Sequence, residues 1–128
     1  MNKQITAYQK FIRITPQKLR LIADMIRPLK VEDAMIQLKF SSRRGAKTVL
    51  KVLTQAKANA INIGLRTETL KINSIQIEEG ATYKRWNPVS RGRAHAILKR
   101  TSHIKIILEG SDAPTSKPAP KKEEKKGK

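Results

Sequence analysis

The chain reads as an α+β protein: a three-stranded antiparallel sheet packed with three helices on one face, with a long protruding β-hairpin. Three observations predict this. Apolar residues between Thr15 and Ile63 recur at helical spacing. The segments on either side of that run are rich in strand-forming residues. The stretch from Gly80 to Leu108 then sets β-formers around a turn-forming centre, Asn87-Pro88 and Ser90-Arg91-Gly92, as a hairpin requires.

Residues 4–14, QITAYQKFIRI, form the first strand. Tyr8, Ile12 and Ile14 fall on one face and Ile5, Ala7 and Phe11 on the other, so alternation alone leaves the buried face open. Thr15-Pro16 starts a helix, because threonine caps free N–H groups and proline suits the first helical position. Leu19, Ile22, Ala23 and Ile26 give it a core stripe, and Pro28 ends it near Arg27. A short second helix covers Val31 to Leu38 through Val31, Ala34, Met35 and Leu38, with Glu32 and Asp33 at its positive end. A third begins at Ser41 or Ser42 and runs to Ile63, with Gly64 as the residue that closes it. Its stripe is Ala46, Val49, Leu50, Leu53, Ala56 and Ala60. Arg43, Arg44, Lys47 and Lys51 fall in its first turns, where the helix dipole disfavours cations and an external anion would offset the cost.

Leu70, Ile72, Ile75 and Ile77 mark the next strand, and their alternation slips between Ile72 and Ile75 as a bulge would make it. Glu78-Glu79-Gly80 leads into the hairpin. Its return strand carries Ile104, Ile106 and Leu108 on one face and His103, Lys105 and Ile107 on the other. The first strand and the two hairpin roots make the sheet. Residues 1–110 are expected to be one domain, including an arm at about 79–104. Residues 111–128, with clustered prolines and lysines and no large apolar side chain, read as a disordered basic tail.

The formal charge of +18 dominates the composition. Charge this one-sided favours nucleic acid or an anionic membrane. No apolar run approaches the ~20 residues of a transmembrane helix, and no early hydrophobic segment suggests a signal peptide. With no cysteine there is neither a disulfide framework nor thiol chemistry. Nucleic acid is the leading partner, and neither a membrane nor a homo-oligomer is expected.

The hairpin concentrates that charge. From Gly80 to Leu108 it holds Lys84, Arg85, Arg91, Arg93, Lys99, Arg100 and Lys105, and not one acid. Limbs of a dozen residues at ~3.3 Å each would reach about 35–40 Å. A lone ribbon is marginal in water, and this one repels itself, so its natural partner is a polyanion. Trp86, the single tryptophan, is placed to stack on a base, to fill a crevice or to pack on the opposite limb. His95 and His103 lack the acids or further ligands that a metal or catalytic site needs, and Glu78-Glu79 lack a nucleophile or base. No glycine-rich phosphate loop occurs. No enzyme, metal or cofactor is expected. A DNA-bending architectural protein, with a basic β-arm and proline at its tip entering the minor groove, is the alternative, although such proteins are usually dimers with paired arms.

Three passages carry a family resemblance: TPQKLRLIADMIR, LTQAKANAINIGL and, above all, SRGRAHAILKRTSHIKIIL. Gly92-Arg93 followed by His103-Ile104-x-Ile106-x-Leu108 has the spacing of a family signature. Over about residues 4 to 109 the chain resembles the bacterial form of large-subunit ribosomal protein number twenty-two, the L-twenty-two family. It departs at Val89, where the family usually has Arg or His, and at Pro28, where it commonly has Gly. The resemblance implies a structural protein that binds large-subunit (23S) rRNA and acts early in assembly. Its globular part would sit near the exit of the nascent-chain tunnel, with the hairpin tip in the tunnel wall near the constriction, where it influences macrolide action and nascent-chain stalling. The implied partners are that RNA, neighbouring large-subunit proteins and the nascent polypeptide, in the cytoplasmic ribosome of a bacterium. By position the tunnel-lining tip is Trp86, Asn87, Pro88, Val89, Ser90 and Arg91. The limbs that contact RNA include Lys84, Arg85, Arg93, Lys99, Arg100 and His103. With the remaining basic clusters, the expected RNA-binding set adds Arg91, Lys105, Arg43, Arg44, Lys47 and Lys51, and Arg13, Lys18 and Arg20.

Overall fold

The computed structural model describes residues 2–112. Along the chain run β1 (Asn2–Ile12), α1 (Pro16–Ile26), α2 (Val31–Phe40), α3 (Ala46–Ile63), β2 (Lys71–Glu79), β3 (Tyr83–Pro88), β4 (Ala94–Lys99) and β5 (Ser102–Ser111). β1 and β2 pair antiparallel with opposite sides of β5, giving the sheet order β1-β5-β2. β3 and β4 form a separate two-stranded ladder. The expected α+β architecture is what is observed. Of the expected tail, β5 takes Ser111 and Asp112 bridges to Leu65; 113–128 lie outside the described residues.

The core forms where the apolar alternation of β5 meets the helices. Ile104, Ile106 and Leu108 are fully buried, flanked by Ile5 and Ala7 of β1 and Ile72 and Ile75 of β2. Leu19, Ile22 and Ile26 from α1, Leu38 from α2 and Val49 and Leu53 from α3 cover them. Burying each such side chain is worth roughly 1.5–3 kcal/mol, so these residues decide where the helices dock. Val52 is also buried while Leu50 is only partly so, which broadens the stripe expected for α3. The cause is position: α3 packs on α1, α2, β1 and β5 together.

Two expected elements shift for identifiable reasons. In β1 neither predicted face survives whole, because the register slips between Gln9 and Ile12 and brings Ile12 round to join Ile5 and Ala7 in the core. Phe11 turns the chain there with φ of 58°. The third helix starts at Ala46, not at Ser41 or Ser42. The Arg43 N–H instead donates to Ser41 Oγ at 3.4 Å and the Ala46 N–H to the Arg43 carbonyl at 3.1 Å, which makes a turn. Gly45 then passes so close to α1 that a Cβ on it would come within 2.8 Å of Ile22 and 2.9 Å of Leu19. At the other end the helix closes at Gly64 as expected, with the Leu65 N–H donating back to the Ala60 carbonyl at 3.0 Å. The expected bulge in β2 falls between Ile72 and Ser74.

β2 lies at the edge of the sheet, and two of its carbonyls accept hydrogen bonds from Arg20 of α1 and from Arg27 just after it. Arg20 Nη2 donates to Ile77 O at 3.3 Å and Arg27 Nη2 to Ile75 O at 3.2 Å.

The arm leaves the sheet through a tied junction. The Gly80 N–H donates to the Thr101 carbonyl at 2.8 Å, and the Thr101 hydroxyl donates to the Ala81 carbonyl. The Ser102 hydroxyl donates to the Ile14 carbonyl, anchoring the return limb to the segment before α1. Both hydroxyls are buried, so each needs the partner it has.

Candidate nucleic-acid interface

Beyond the junction every residue of β3 and β4 except Ile97 is exposed. Opposed residues in an antiparallel ladder share a face. Lys84, Trp86 and Pro88 therefore stand with Leu98, Ala96 and Ala94, and Tyr83, Arg85 and Asn87 stand with Lys99, Ile97 and His95. Cations occur on both faces. Trp86 lies opposite the small side chain of Ala96 and remains 67% exposed, so the opposite limb does not cover it. Arg85 and Arg13 approach the Tyr83 ring, at 5.9 and 5.7 Å from its centroid, and Arg13 Nη1 also donates to the Arg100 carbonyl at 3.2 Å. Arg13 thus braces the arm's root.

The tip closes through the Val89 N–H, which donates to the Arg93 carbonyl at 2.9 Å around the turn Ser90–Gly92. Arg91 (φ 64°) and Gly92 (φ 68°) are successive left-handed residues. Holding a side chain there costs roughly 1–2 kcal/mol and presents Arg91 outward at the end of the arm.

The other expected binding residues divide into three places. Arg43 and Arg44, in the turn ahead of α3, meet Arg13, Lys18, Lys99 and Arg100 around a crevice of about 390 Å³ at the arm's root. Lys47 and Lys51 sit in the first turns of α3, exposed and outside that crevice. Arg20 spends one N–H on the edge of β2. His103 and Lys105 lie on the outer face of the sheet, opposite Glu78 and Gln76. There His103 Nδ1 accepts the Phe11 N–H at 3.0 Å, and its ring meets Phe11 edge-on at 5.1 Å. The strand break at Arg100-Thr101 puts His95 and His103 in different sheets. The Tyr8 phenol near His103 is pushed above its ordinary value of 10.0 by desolvation, by the charge of Glu78 and by its hydrogen bond to that carboxylate.

The acids are segregated from all this. The ion pairs among the described residues are Lys3–Asp112, Arg27–Asp24 and Lys57–Glu32, at 3.0, 3.1 and 3.7 Å, and all lie on the body. No arm cation, nor Arg43, Arg44 or Lys18, has a carboxylate partner among the described residues. Among those residues no group of three or more His, Cys, Asp or Glu is placed to hold a metal, and no helix is long and apolar enough to cross a membrane. The sequence reading missed the crevice's apolar lining, Ile14, Leu21, Ile22 and Leu98. Leu21 carried a signal, a large apolar residue off the core stripe and next to Arg20.

A family model described as ribosomal protein L22p/L17e matches residues 7–109. The chain is 44% identical over 106 residues to a protein of Syntrophobacter fumaroxidans named large ribosomal subunit protein uL22, covering 82% of this chain and 96% of that one. Proteins of the same name from Protochlamydia amoebophila and Mesoplasma florum are 45% and 47% identical over 103 residues. Each match covers 80% of this chain, and 93% and 92% of those relatives.

Proposed function

Since the chain belongs to the ribosomal protein L22p/L17e family and is a protein of the large ribosomal subunit, we propose that it binds large-subunit rRNA through the arm and the crevice at its root. The family is one of ribosomal structural proteins, not an enzyme class. The single observation that carries the binding reading is the arm itself. It is an exposed ladder with cations on both faces, no acid, and no ion-pair partner among the described residues. Every ion pair among the described residues lies on the body, which leaves the arm's charges for phosphates.

The tip, Trp86 to Arg91, lines the nascent-chain tunnel in this reading, and the protein joins the subunit early in its assembly in a bacterial cytoplasm. Its exposed indole, Pro88 and Val89 offer the nascent polypeptide an apolar wall beside the Arg91 cation. Neighbouring large-subunit proteins complete its contacts.

Binding to a tunnel-region rRNA fragment, measured across salt concentrations, tests this. Log affinity should fall against log salt by about 0.7 to 0.9 for each phosphate neutralised. Changing Lys99 and Arg100 together to Ala should flatten that slope by about one to two units. Affinity no greater than for random RNA at physiological salt would end the proposal.

A further inference from the structure

We infer that the crevice at the arm's root takes one nucleotide of the bound RNA, turned out of its stack, with its base on an apolar floor and its phosphate among the rim cations. This deepens the rRNA-binding reading and rests on it.

Three segments far apart in sequence build the crevice: residues 13–22 leading into and along α1, the turn 43–45 ahead of α3, and the end of β4 with Arg100. Its rim carries Arg13, Lys18, Arg43, Arg44, Lys99 and Arg100, and its lining contains no acid. Glu79 belongs to a second depression that shares Thr15, Lys18, Leu21 and Arg100 with the first. Concentrated charge of one sign in a concave site selects an anion and raises its local concentration.

A phosphate site alone would need no leucines. Leu21 is 56% exposed and Leu98 49% exposed, and both line this crevice together with the half-buried Ile14 and the buried Ile22. An apolar partner alone would need no guanidinium rim. The combination fits a group that is flat and apolar at one end and anionic at the other, which describes an unstacked nucleotide. Sequence-specific RNA recognition works largely on such splayed-out bases, packed on side chains or on guanidinium planes, and arginines supply those planes here. The volume of about 390 Å³ lies in the range of small-ligand sites.

The backbone adds to the rim. Thr15 and Gly45, the residues at the N-terminal ends of α1 and α3, both line the crevice. Neither makes a side-chain cap, and neither helix has an acid in its first turn, so both positive ends are left for an external anion.

The test is the double variant Leu21→Ser and Leu98→Ser, whose side chains are exposed enough that the fold, checked by circular dichroism, should persist. Full-length large-subunit rRNA is titrated with wild type and variant across salt, and all four bases are mapped by chemical probing. Wild type should shield one unpaired base. The variant should lose that shield and bind about tenfold more weakly with its salt slope unchanged, because the base loses its floor while the phosphate contacts remain. Equal affinity and equal shielding in the variant would overturn the inference and leave rRNA binding standing; an acidic segment of a neighbouring protein seated in the crevice predicts that result. Loss of shielding spread over many nucleotides would overturn it as well. Wild type binding this RNA no better than random RNA would remove both readings together.

Discussion

The two halves of the hairpin are built from similar residues and do opposite things. At the root, β5 alternates strictly between buried and half-buried residues, and Ile104, Ile106 and Leu108 face the helices. Farther out, β3 and β4 use Tyr83, Trp86, Ile97 and Leu98, which are strand formers of the same kind, and none of them is buried. Strand propensity therefore extends the ribbon through both regions, and only the root has a core to join. The difference teaches where stability and binding separate: the root is held by burial, and the arm is free to be shaped by its partner.

That contrast can be broken first at its strongest point. Ile106→Ala, in the fully buried centre of the sheet, should cost about 2–5 kcal/mol in urea unfolding, whereas Ile97→Ala on the arm should cost under about 1 kcal/mol. Comparable losses would mean the arm has a core of its own and would collapse the distinction.

The junction sharpens it next. A Cβ at Gly80 would run into the Thr101 hydroxyl and come within 3.1 Å of the His103 ring and 3.2 Å of the Thr101 backbone. Gly80→Ala should therefore displace the buried hydroxyl from Ala81 and destabilise the protein by about 1–3 kcal/mol, visible as a lower denaturant midpoint. An unchanged midpoint would show that arm and sheet are not fastened there.

The smallest effect is on the outer sheet face. The Tyr8 phenol is held above 10.0, so the protonated form is favoured by folding. Its contribution is fully present below that value and is lost as pH rises through the raised one. Tyr8→Phe should flatten the alkaline end of the stability curve, measured by thermal unfolding in steps above pH 9.

Much of this was legible from residues alone, for physical reasons that differ by element. Leu19, Ile22, Ala23 and Ile26 announced α1 because one helix face packs on one surface. Gly64 announced the end of α3 because a left-handed residue was needed there. Ser41 and Ser42 misled because they look like caps, while the true start is set by how closely Gly45 must approach α1, a fact of tertiary packing. β1 was ambiguous because its bulge at Phe11 changes the phase of the alternation partway along the strand. The cations of the arm could be read off directly. The crevice could not, since no local pattern joins Leu21 to Arg43 and Leu98.

The guanidiniums of Arg20 and Arg27 on the carbonyls of β2 have a consequence for the life of the chain before it meets RNA. An edge strand is a ready template for a second chain, and a newly made protein must wait in solution at whatever concentration synthesis produces. With the Ile75 and Ile77 carbonyls already taken and the Arg20 and Arg27 side chains laid across them, another copy finds that part of the edge occupied. One edge of the sheet is covered by the same residue type that, on the arm, has no carboxylate partner among the described residues.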